Sequence, residues 1–206
     1  MLPPAAVKAP MPTSRKTPPP TAPLSREAWV AAATRIIAQE GVAAVAVEPL
    51  AAALGVTKGS FYWHFKSRDA LIQAALEAWE QDQAADVVTR YTAIPDPRQR
   101  LRVLLFAAFE DQENGRFFAA LAVSSEDPRV QPFLRRATER RLRLGVEAFQ
   151  ELGLSEKEAQ ERALLAYAAY AGYFQLLRTT PQALAAVTDL SGYVRRLAEA
   201  LVPSGA

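Results

Sequence analysis

The chain has 206 residues, half of them hydrophobic, and its 24 lysines and arginines outnumber its 22 acidic residues to give a net charge of +2. It has no cysteine and a single histidine, His64, which excludes disulfide scaffolds, thiol nucleophiles, thiolate zinc sites and histidine-rich metal cages. The nine glycines are dispersed and form no phosphate-binding loop, so we expect no cofactor and no metal.

The first 24 residues differ in composition from the rest of the chain. They contain eight of the fifteen prolines and three basic residues, with no acidic residue among them. So many prolines prevent a helix, and the segment can bury little apolar surface. We therefore expect residues 1–24 to form a disordered basic arm. Two interpretations stay open: a tail without function, or an arm that reaches a nucleic-acid backbone or minor groove.

From Ser25 onward the pattern is helical. Ser25 is a good N-cap, and Gly41 is a natural stop for a helix. Between them, apolar residues recur at helical spacing: Trp29, Ala33, Ile36 and Ile37. The first helix is therefore expected to fill most of this interval and to bury that stripe.

Residues 45–65 have the pattern of a helix-turn-helix. A short helix over about 47–54, a tight turn at Gly55 and a second helix from Thr57 to about His64 fit the spacing of that motif. Phe61 and Phe65 lie four residues apart, so both are expected to pack inward. The opposite face suits the phosphates and base edges of a DNA major groove; it carries Lys58, Ser60, Tyr62, Trp63 and His64. For Trp63, packing in the core is the alternative.

The remainder of the chain predicts a fourth helix capped by Ser67 and five further helices. Their limits are marked by Asp-Pro pairs, by glycines and by a Ser-x-x-Glu capping box. The five begin at Asp96-Pro97, after Gly115, at Asp127-Pro128, at Ser155 and at about Asp189. With no convincing pair of strands, the sequence predicts an all-α fold of about nine helices.

The charge is divided unevenly between the two parts of the chain. Residues 1–66 carry seven basic and three acidic residues, a net charge of +4, whereas residues 67–206 carry 17 basic and 19 acidic residues, a net charge of −2. A basic head on an acidic body is the distribution expected of a head that meets a polyanion.

The run from Gly55 to Leu71, with Gly41 and Leu50-Ala51 before it, resembles the TetR family of bacterial one-component repressors. The resemblance implies a DNA-binding head over residues 25–66 and a helical effector-binding and dimerisation domain over residues 67–206. It also implies a homodimer that binds a palindromic double-stranded DNA operator and is released by an unknown small-molecule effector. The positions that map onto the DNA-facing residues of the family are Thr57, Lys58, Gly59, Ser60, Tyr62, Trp63, His64 and Lys66.

Two positions depart from the family pattern. Ala46 stands where the family usually has Thr or Ser as a helix cap and phosphate contact, so one phosphate contact is expected to be missing. Glu48 stands where a basic or polar residue is often seen. Glu48 would either repel the DNA backbone or read a cytosine amino group, and both interpretations stay open.

Two helices near the C-terminus predict a dimer seam. The apolar run over residues 163–177 contains Gln175 and lies between two arginines, so it is too short to span a bilayer and is expected to be buried on more than one side. Its small-residue stripe and the apolar stripe of the last helix would form a four-helix seam with a second subunit, with core packing in a monomer as the alternative. The predicted seam consists of Leu164, Ala168, Ala171, Gly172, Val194, Leu197 and Leu201.

The middle helices predict an effector pocket. They are rich in aromatic residues, and the charged residues Asp82 and Arg141 interrupt two of their apolar stripes. A charge on an apolar face must be paired, face a ligand or extend beyond the core. For each aromatic residue, core filling is the alternative. The predicted pocket residues are Trp79, Asp82, Phe106, Phe109, Phe118, Phe133, Arg141, Tyr167 and Tyr170.

The sequence thus predicts a cytoplasmic, ligand-responsive DNA-binding regulator with no membrane partner. It does not predict an enzyme, since no motif places a nucleophile or a carboxylate beside His64. The alternative is a helical ligand-binding or adaptor protein that has lost sequence-specific DNA binding, which Ala46 and Glu48 leave open.

Overall fold

The computed structural model describes residues 24–92 and 94–202, and for residues 82–92 it gives the helical backbone alone. The described residues form nine α-helices and no strand, which confirms the predicted all-α fold. The helices are α1 (Arg26–Glu40), α2 (Val47–Ala53), α3 (Lys58–His64), α4 (Arg68–Thr92), α5 (Pro97–Glu110), α6 (Gln112–Val123), α7 (Gln131–Gln150), α8 (Glu156–Thr179) and α9 (Leu190–Leu201). The predicted arm lies outside the described residues, apart from Leu24.

Several helix ends follow from side chains that the sequence marks as caps. The Ser25 hydroxyl accepts a hydrogen bond from the backbone N–H of Ala28 at the start of α1. Ser155 and Glu158 form the complete capping box at the start of α8, each satisfying a backbone donor of the other. Gly41 ends α1 with a φ of +98°, a conformation that glycine adopts without steric cost.

Gly115 does not separate two helices as predicted, because it lies inside α6. The break falls instead at Asp111, whose carboxylate accepts a hydrogen bond from the backbone N–H of Asn114. Gly115 is buried against the ring of Phe174, and a Cβ atom at this position would lie 2.1 Å from that ring. This glycine therefore serves close packing of α6 on α8 rather than a turn.

The start of α7 also differs from the prediction of a helix beginning at Asp127-Pro128. Residues 128–130 form a turn, and α7 begins at Gln131. The Asp127 carboxylate accepts hydrogen bonds from the backbone N–H and the guanidinium of Arg129. These contacts stabilise the turn, and they hold the pKa of Asp127 down at about 2.

The helices share one continuous apolar core. The largest fully buried side chains come from both ends of the chain and include Trp29, Phe61, Phe109, Phe117, Phe149 and Phe174. The first helix packs on α4 and α6, while α7 and α8 pack along each other. Because α1 contacts α6, the N-terminal unit is braced by the larger helical part and not by α4 alone. The predicted boundary between residues 66 and 67 falls just before α4 begins.

Within the described ranges, no helix is long and apolar enough to cross a membrane. The same part of the chain has no group of three or more His, Asp or Glu side chains placed to hold a metal ion.

Candidate nucleic-acid interface and ligand cavity

The second and third helices form the helix-turn-helix that the sequence predicts. Gly55 makes the turn with a φ of +69°, and the backbone N–H of Val56 donates to the carbonyl of Ala51 at 3.0 Å. On the inner face, Phe61 is fully buried and meets the ring of Trp29 edge-on, with 5.4 Å between centroids. Phe65 stacks on Phe61. These contacts fix which face of α3 points away from the core.

The outer face of α3 presents two large aromatic side chains to the surface. Tyr62 is 56% exposed and Trp63 is 89% exposed, so the structure rejects the alternative that Trp63 fills the core. Tryptophan is highly buried on average in folded proteins, so a side chain this exposed marks the outer face of α3 as a candidate contact surface. The other six predicted contact residues lie in α3 or within two residues of it: Thr57, Lys58, Gly59 and Lys66 are exposed, while Ser60 and His64 are partly buried.

The geometry adds a contact of Glu48 that sequence reasoning missed. The Glu48 carboxylate accepts a hydrogen bond from the Lys58 ammonium at 2.5 Å, and both side chains are more than half exposed. This hydrogen bond lowers the pKa of Glu48 and raises the pKa of Lys58. Glu48 therefore holds the ammonium group of Lys58, the first residue of α3. Neither of the two interpretations given above for Glu48 includes this contact.

Two further arginines that sequence reasoning missed hold this head in place. Arg68, at the start of α4, donates to the carbonyls of Val42, Ala43 and Val45 in the segment that leads into α2. Arg178, near the end of α8, donates to the carbonyls of Ala38 and Gln39 at 3.3 and 3.4 Å. The second contact places a cation at the C-terminal end of α1, where the helix dipole favours it.

A cavity of about 430 Å³ lies among α5, α7, α8 and the start of α6. Four of the nine predicted pocket residues line it: Phe109, Arg141, Tyr167 and Tyr170. Its other walls are mostly apolar and include Leu101, Leu105, Leu144, Phe149 and Ala163. The volume falls in the range of pockets that hold drug-sized molecules.

The other predicted pocket residues occupy different places. Trp79 and Phe118 lie behind the wall, in contact with Arg141. Neither Phe106 nor Phe133 lines the cavity. Phe106 packs against the core, and the ring centre of Phe133 lies 4.5 Å from the guanidinium carbon of Arg136. The side chain of Asp82 lies outside the described residues.

Three positions of the predicted dimer seam form an exposed face on α8. Leu164, Ala168 and Gly172 are exposed, and the neighbouring Leu165 and Leu176 extend the apolar face. Ala171 is partly buried. An apolar face of this kind on a helix surface favours contact with another chain.

On α9 the prediction is wrong for two residues. Val194 and Leu201 are buried in the core of the subunit itself, because the apolar face of α9 packs on α5. Leu197 is partly buried against the same core. Any contribution of α9 to a dimer must therefore come from its outer residues.

The head matches a known family of proteins. Residues 30–75 fit the family model described as "Bacterial regulatory proteins, tetR family". The HTH-type transcriptional regulator AcrR of Shigella flexneri is 35% identical over 82 residues, which are 38% of this chain and 37% of that protein. The chain thus aligns with little more than a third of the length of the curated relatives it first matches.

Solved structures match over most of both chains. A putative transcriptional regulator from Saccharomonospora viridis, in complex with choline, has a TM-score of 0.71 at 19% identity and covers 86% of this chain and 94% of that one. The regulator FadR of Bacillus subtilis, in complex with stearoyl-CoA, has a TM-score of 0.67 at 14% identity and covers 88% and 100%. At these identities the likeness shows a common fold.

Proposed function

We propose that the chain is a member of the TetR family of bacterial regulatory proteins and acts as a ligand-responsive repressor that binds a palindromic DNA operator as a homodimer. The match of residues 30–75 to the model of that family supports this proposal. The observation that carries this proposal is the outer face of α3, where Tyr62 and Trp63 stand exposed beside Lys58. Aromatic and basic side chains that project from a helix of this kind suit the edges of bases and the phosphates that flank them.

The proposed contacts divide into two kinds. Lys58 and Lys66 would meet phosphates, supported by the hydroxyl of Thr57, and these contacts set affinity and register. Tyr62, Trp63, Ser60 and His64 would face base edges and so select the sequence. Gly59 adds no side chain at the point where α3 would approach the DNA backbone.

A dimer is needed because a seven-residue helix reads few bases. We propose that the exposed face of α8, with Leu164, Leu165 and Leu176, meets the same face of a second subunit around a two-fold axis. Two heads arranged in this way would contact half-sites that are about 34–36 Å apart, or one turn of DNA.

The cavity supplies the site for an effector. A small molecule bound there would favour a state of the dimer in which the spacing of the heads no longer matches the half-sites. The ligand can shift the equilibrium between this state and the DNA-binding state only by the ratio of its affinities for the two. Trp79 of α4 touches Arg141 in the cavity wall, and α4 leads directly from the head. The site therefore lies one side chain away from the helix that carries the head.

Binding of purified protein to its own promoter region and to random DNA, measured over a range of salt concentrations, tests this function. We expect a specific footprint that Tyr62→Ala removes, and a salt slope that Lys66→Ala reduces by about 1. Lys157→Ala removes an exposed lysine from α8, far along the chain from the head, and is the matched control that should change neither. Equal binding to both DNAs, unaffected by Tyr62→Ala and Lys66→Ala, would refute the proposal.

One observation favours a second candidate, a helical ligand-binding or adaptor protein without sequence-specific DNA binding. Glu48 neutralises Lys58 on the interface, and Ala46 caps α2 without a side-chain hydrogen bond. On this alternative the footprint would be missing while ligand binding and dimerisation persist.

A further inference from the structure

We propose that the cavity takes an uncharged, mainly apolar molecule whose carbonyl oxygen accepts a hydrogen bond from the hydroxyl of Tyr170. This inference rests on the effector site proposed above and names the chemistry of its ligand. Tyr170 belongs to α8 and lines the cavity, so its hydroxyl is a candidate for the polar contact that orients a ligand there.

The hydroxyl of Tyr170 has no partner in the part of the chain that the structure describes. Tyr170 is 5% exposed, and its hydroxyl forms no hydrogen bond with any described residue. Polar groups this deeply buried are nearly always hydrogen-bonded, because leaving them unpaired costs free energy. Water that enters a cavity can satisfy such a group, but a ligand that displaces the water has to replace its hydrogen bond. The ligand is therefore expected to carry a hydrogen-bonding group opposite Tyr170.

Neighbouring rings hold the Tyr170 ring in place. Its centre lies 5.0 Å from that of Phe174, 5.9 Å from that of Phe109 and 6.0 Å from that of Phe118. All three phenylalanines are buried. A hydroxyl on a ring packed in this way keeps its position and loses little freedom when a ligand binds.

The charges near the hydroxyl show that it lies on the cavity side of the ring. Burial raises the pKa of Tyr170, with smaller effects from Arg141, Asp111 and Tyr167, and these three residues also line the cavity. The raised pKa keeps the hydroxyl protonated at neutral pH, so that it can donate a hydrogen bond. A carbonyl oxygen on the ligand is a matching acceptor.

Other polar groups of the described wall are already engaged. The hydroxyl of Tyr167 lies 2.8 Å from that of Thr138. The Asp111 carboxylate caps α6 through the backbone N–H of Asn114, and the side-chain oxygen of Asn114 accepts a hydrogen bond from the indole of Trp79 at 2.8 Å. The polar contact of the ligand is therefore assigned to Tyr170.

The charged groups of the wall favour an uncharged ligand. Burial lowers the pKa of Arg140, while the partly buried carboxylate of Glu80 on α4 favours its charged form. Arg141 packs on three aromatic rings and is engaged within the subunit, and Glu110 is exposed to water. A charged ligand would thus leave water without gaining a free counter-charge among the described residues, which costs free energy.

The size and lining of the cavity complete the description of the ligand. About 430 Å³ bounded by leucine, alanine and aromatic side chains accommodates a naphthalene ring or a medium-length alkyl chain. The proposed ligand is thus an aromatic or aliphatic body that carries one ketone, ester or amide carbonyl.

The experiment compares probes of the same shape that differ at the carbonyl. In the aromatic pair, 2-isopropenylnaphthalene replaces the carbonyl oxygen of 2-acetonaphthone by a methylene group. The aliphatic pair of 2-undecanone and 2-methyl-1-undecene differs in the same way. Binding of each probe to the full-length protein is measured by equilibrium dialysis, with 2-naphthoate as the charged comparison.

We expect at least one ketone to bind, and 2-naphthoate to bind about tenfold more weakly than 2-acetonaphthone or weaker still. If neither ketone binds, the proposal is overturned. If 2-naphthoate binds as tightly as 2-acetonaphthone, the uncharged class is overturned.

Variants of the two tyrosines locate the contact. Tyr170→Phe removes the hydroxyl and keeps the ring, so the ratio of the ketone and alkene affinities should fall by about three- to tenfold. Tyr167→Phe is the matched control, because it removes a hydroxyl of the same wall that is already bonded to Thr138; the ratio should stay unchanged. A ratio that does not fall in Tyr170→Phe, or that falls equally in Tyr167→Phe, would overturn the assignment.

Thermal unfolding without any ligand tests the unpaired hydroxyl by itself. Tyr170→Phe loses no hydrogen bond and should unfold at a temperature no lower than that of the wild type, whereas Tyr167→Phe loses its contact with Thr138 and should unfold at a lower one. A lower unfolding temperature for Tyr170→Phe would show that its hydroxyl has a partner within the fold, and the proposal would be overturned.

These measurements contain no DNA, so they fail independently of the proposed function. Ketone binding through Tyr170 without a specific footprint would refute the repressor and leave the ligand class standing. A footprint without any dependence of ketone binding on Tyr170 would do the reverse.

Discussion

Replacing Glu48 with Gln tests whether this carboxylate weakens DNA binding by the surface that we propose on α3. Because Glu48 and Lys58 are 2.5 Å apart, Lys58 would have to exchange a protein carboxylate for a DNA phosphate in the proposed complex. Glu48→Gln removes the competing charge and retains a side chain of the same shape. We therefore expect the variant to bind DNA more tightly at low salt, because Lys58 is then available to neutralise one phosphate completely.

The magnitude follows from counterion release. One additional neutralised phosphate steepens the slope of log K against log[salt] by about 0.9. Between 50 and 200 mM salt, the variant should then lose about 3.5-fold more of its affinity than the wild type loses. Both side chains are more than half exposed, so the pair contributes little to stability and thermal unfolding should be nearly unchanged.

The assay is a titration of fluorescent operator DNA by anisotropy at four or more salt concentrations. Glu199→Gln on the exposed side of α9 changes the net charge of the protein by the same amount and is the matched control. A parallel shift without a change of slope in both variants would reduce the effect to net charge. If Glu48→Gln binds DNA more weakly and no longer discriminates at one base pair, Glu48 does not compete with the phosphate for Lys58. That result would favour recognition of a cytosine amino group by Glu48.

Three further predictions concern the dimer and the stability of the fold. Leu164 is 57% exposed, so Leu164→Glu should leave the subunit folded and convert a dimer to a monomer in analytical ultracentrifugation; an unchanged mass would exclude this face as the seam. Gly115→Ala should lower the free energy of unfolding in urea by about 1–3 kcal/mol, because the new Cβ would lie 2.1 Å from the ring of Phe174; a gain in stability would show that helix propensity prevails. The pKa of Asp127 is held at about 2 by Arg129, so the stability that this pair adds is present above the unfolded pKa of the carboxyl and is lost as the pH falls toward 2. In calorimetry, Asp127→Asn should therefore unfold at a lower temperature than the wild type at pH 7, with a gap that narrows between pH 4 and pH 2; a constant gap would contradict the role of the charge.

The parts of the structure that could be predicted are those decided by neighbours in the sequence. Ser25 and Ser155 start helices through hydrogen bonds to residues three positions later, and such contacts are visible in the sequence itself. The helix-turn-helix is equally local, since Gly55 and the pair Phe61 and Phe65 lie within a short segment. These features follow from periodicity and capping, without knowledge of the remaining fold.

The parts that could not be predicted depend on residues far away in the sequence. Gly115 resembles a helix breaker until Phe174 of α8 is placed against it. The apolar stripe of α9 predicts that this face is buried. The stripe does not indicate whether the packing partner is α5 of the same subunit or a second subunit. The stripe therefore predicts a place in the dimer seam for Val194 and Leu201, whereas both are buried in the core of their own subunit. The contact between Glu48 and Lys58 likewise required the angle at which α2 meets α3.

Helix α4 lies between the two proposed sites without lining either of them, and this arrangement has a thermodynamic consequence. Arg68 ties the first turn of α4 to the segment before α2. Eleven residues later, or about 16 Å along the helix at the usual rise, Trp79 contacts Arg141 and donates to the side chain of Asn114 at 2.8 Å. A ligand that moves Arg141 would also move Trp79, because a close-packed interior has low compressibility and transmits the displacement.

If α4 couples the sites in this way, the coupling must be reciprocal. A ligand that weakens DNA binding by a given factor must itself be bound more weakly by the same factor when operator DNA is present. Trp79→Phe retains an aromatic ring beside Arg141 and removes the hydrogen bond to Asn114. It should therefore leave the affinity for the effector and the affinity for DNA unchanged when each is measured alone. The factor by which the effector weakens DNA binding and the factor by which DNA weakens effector binding should both fall toward one. If the effect of the effector on DNA binding falls while the effect of DNA on effector binding does not, the two values violate linkage. The two assays would then report different states of the protein.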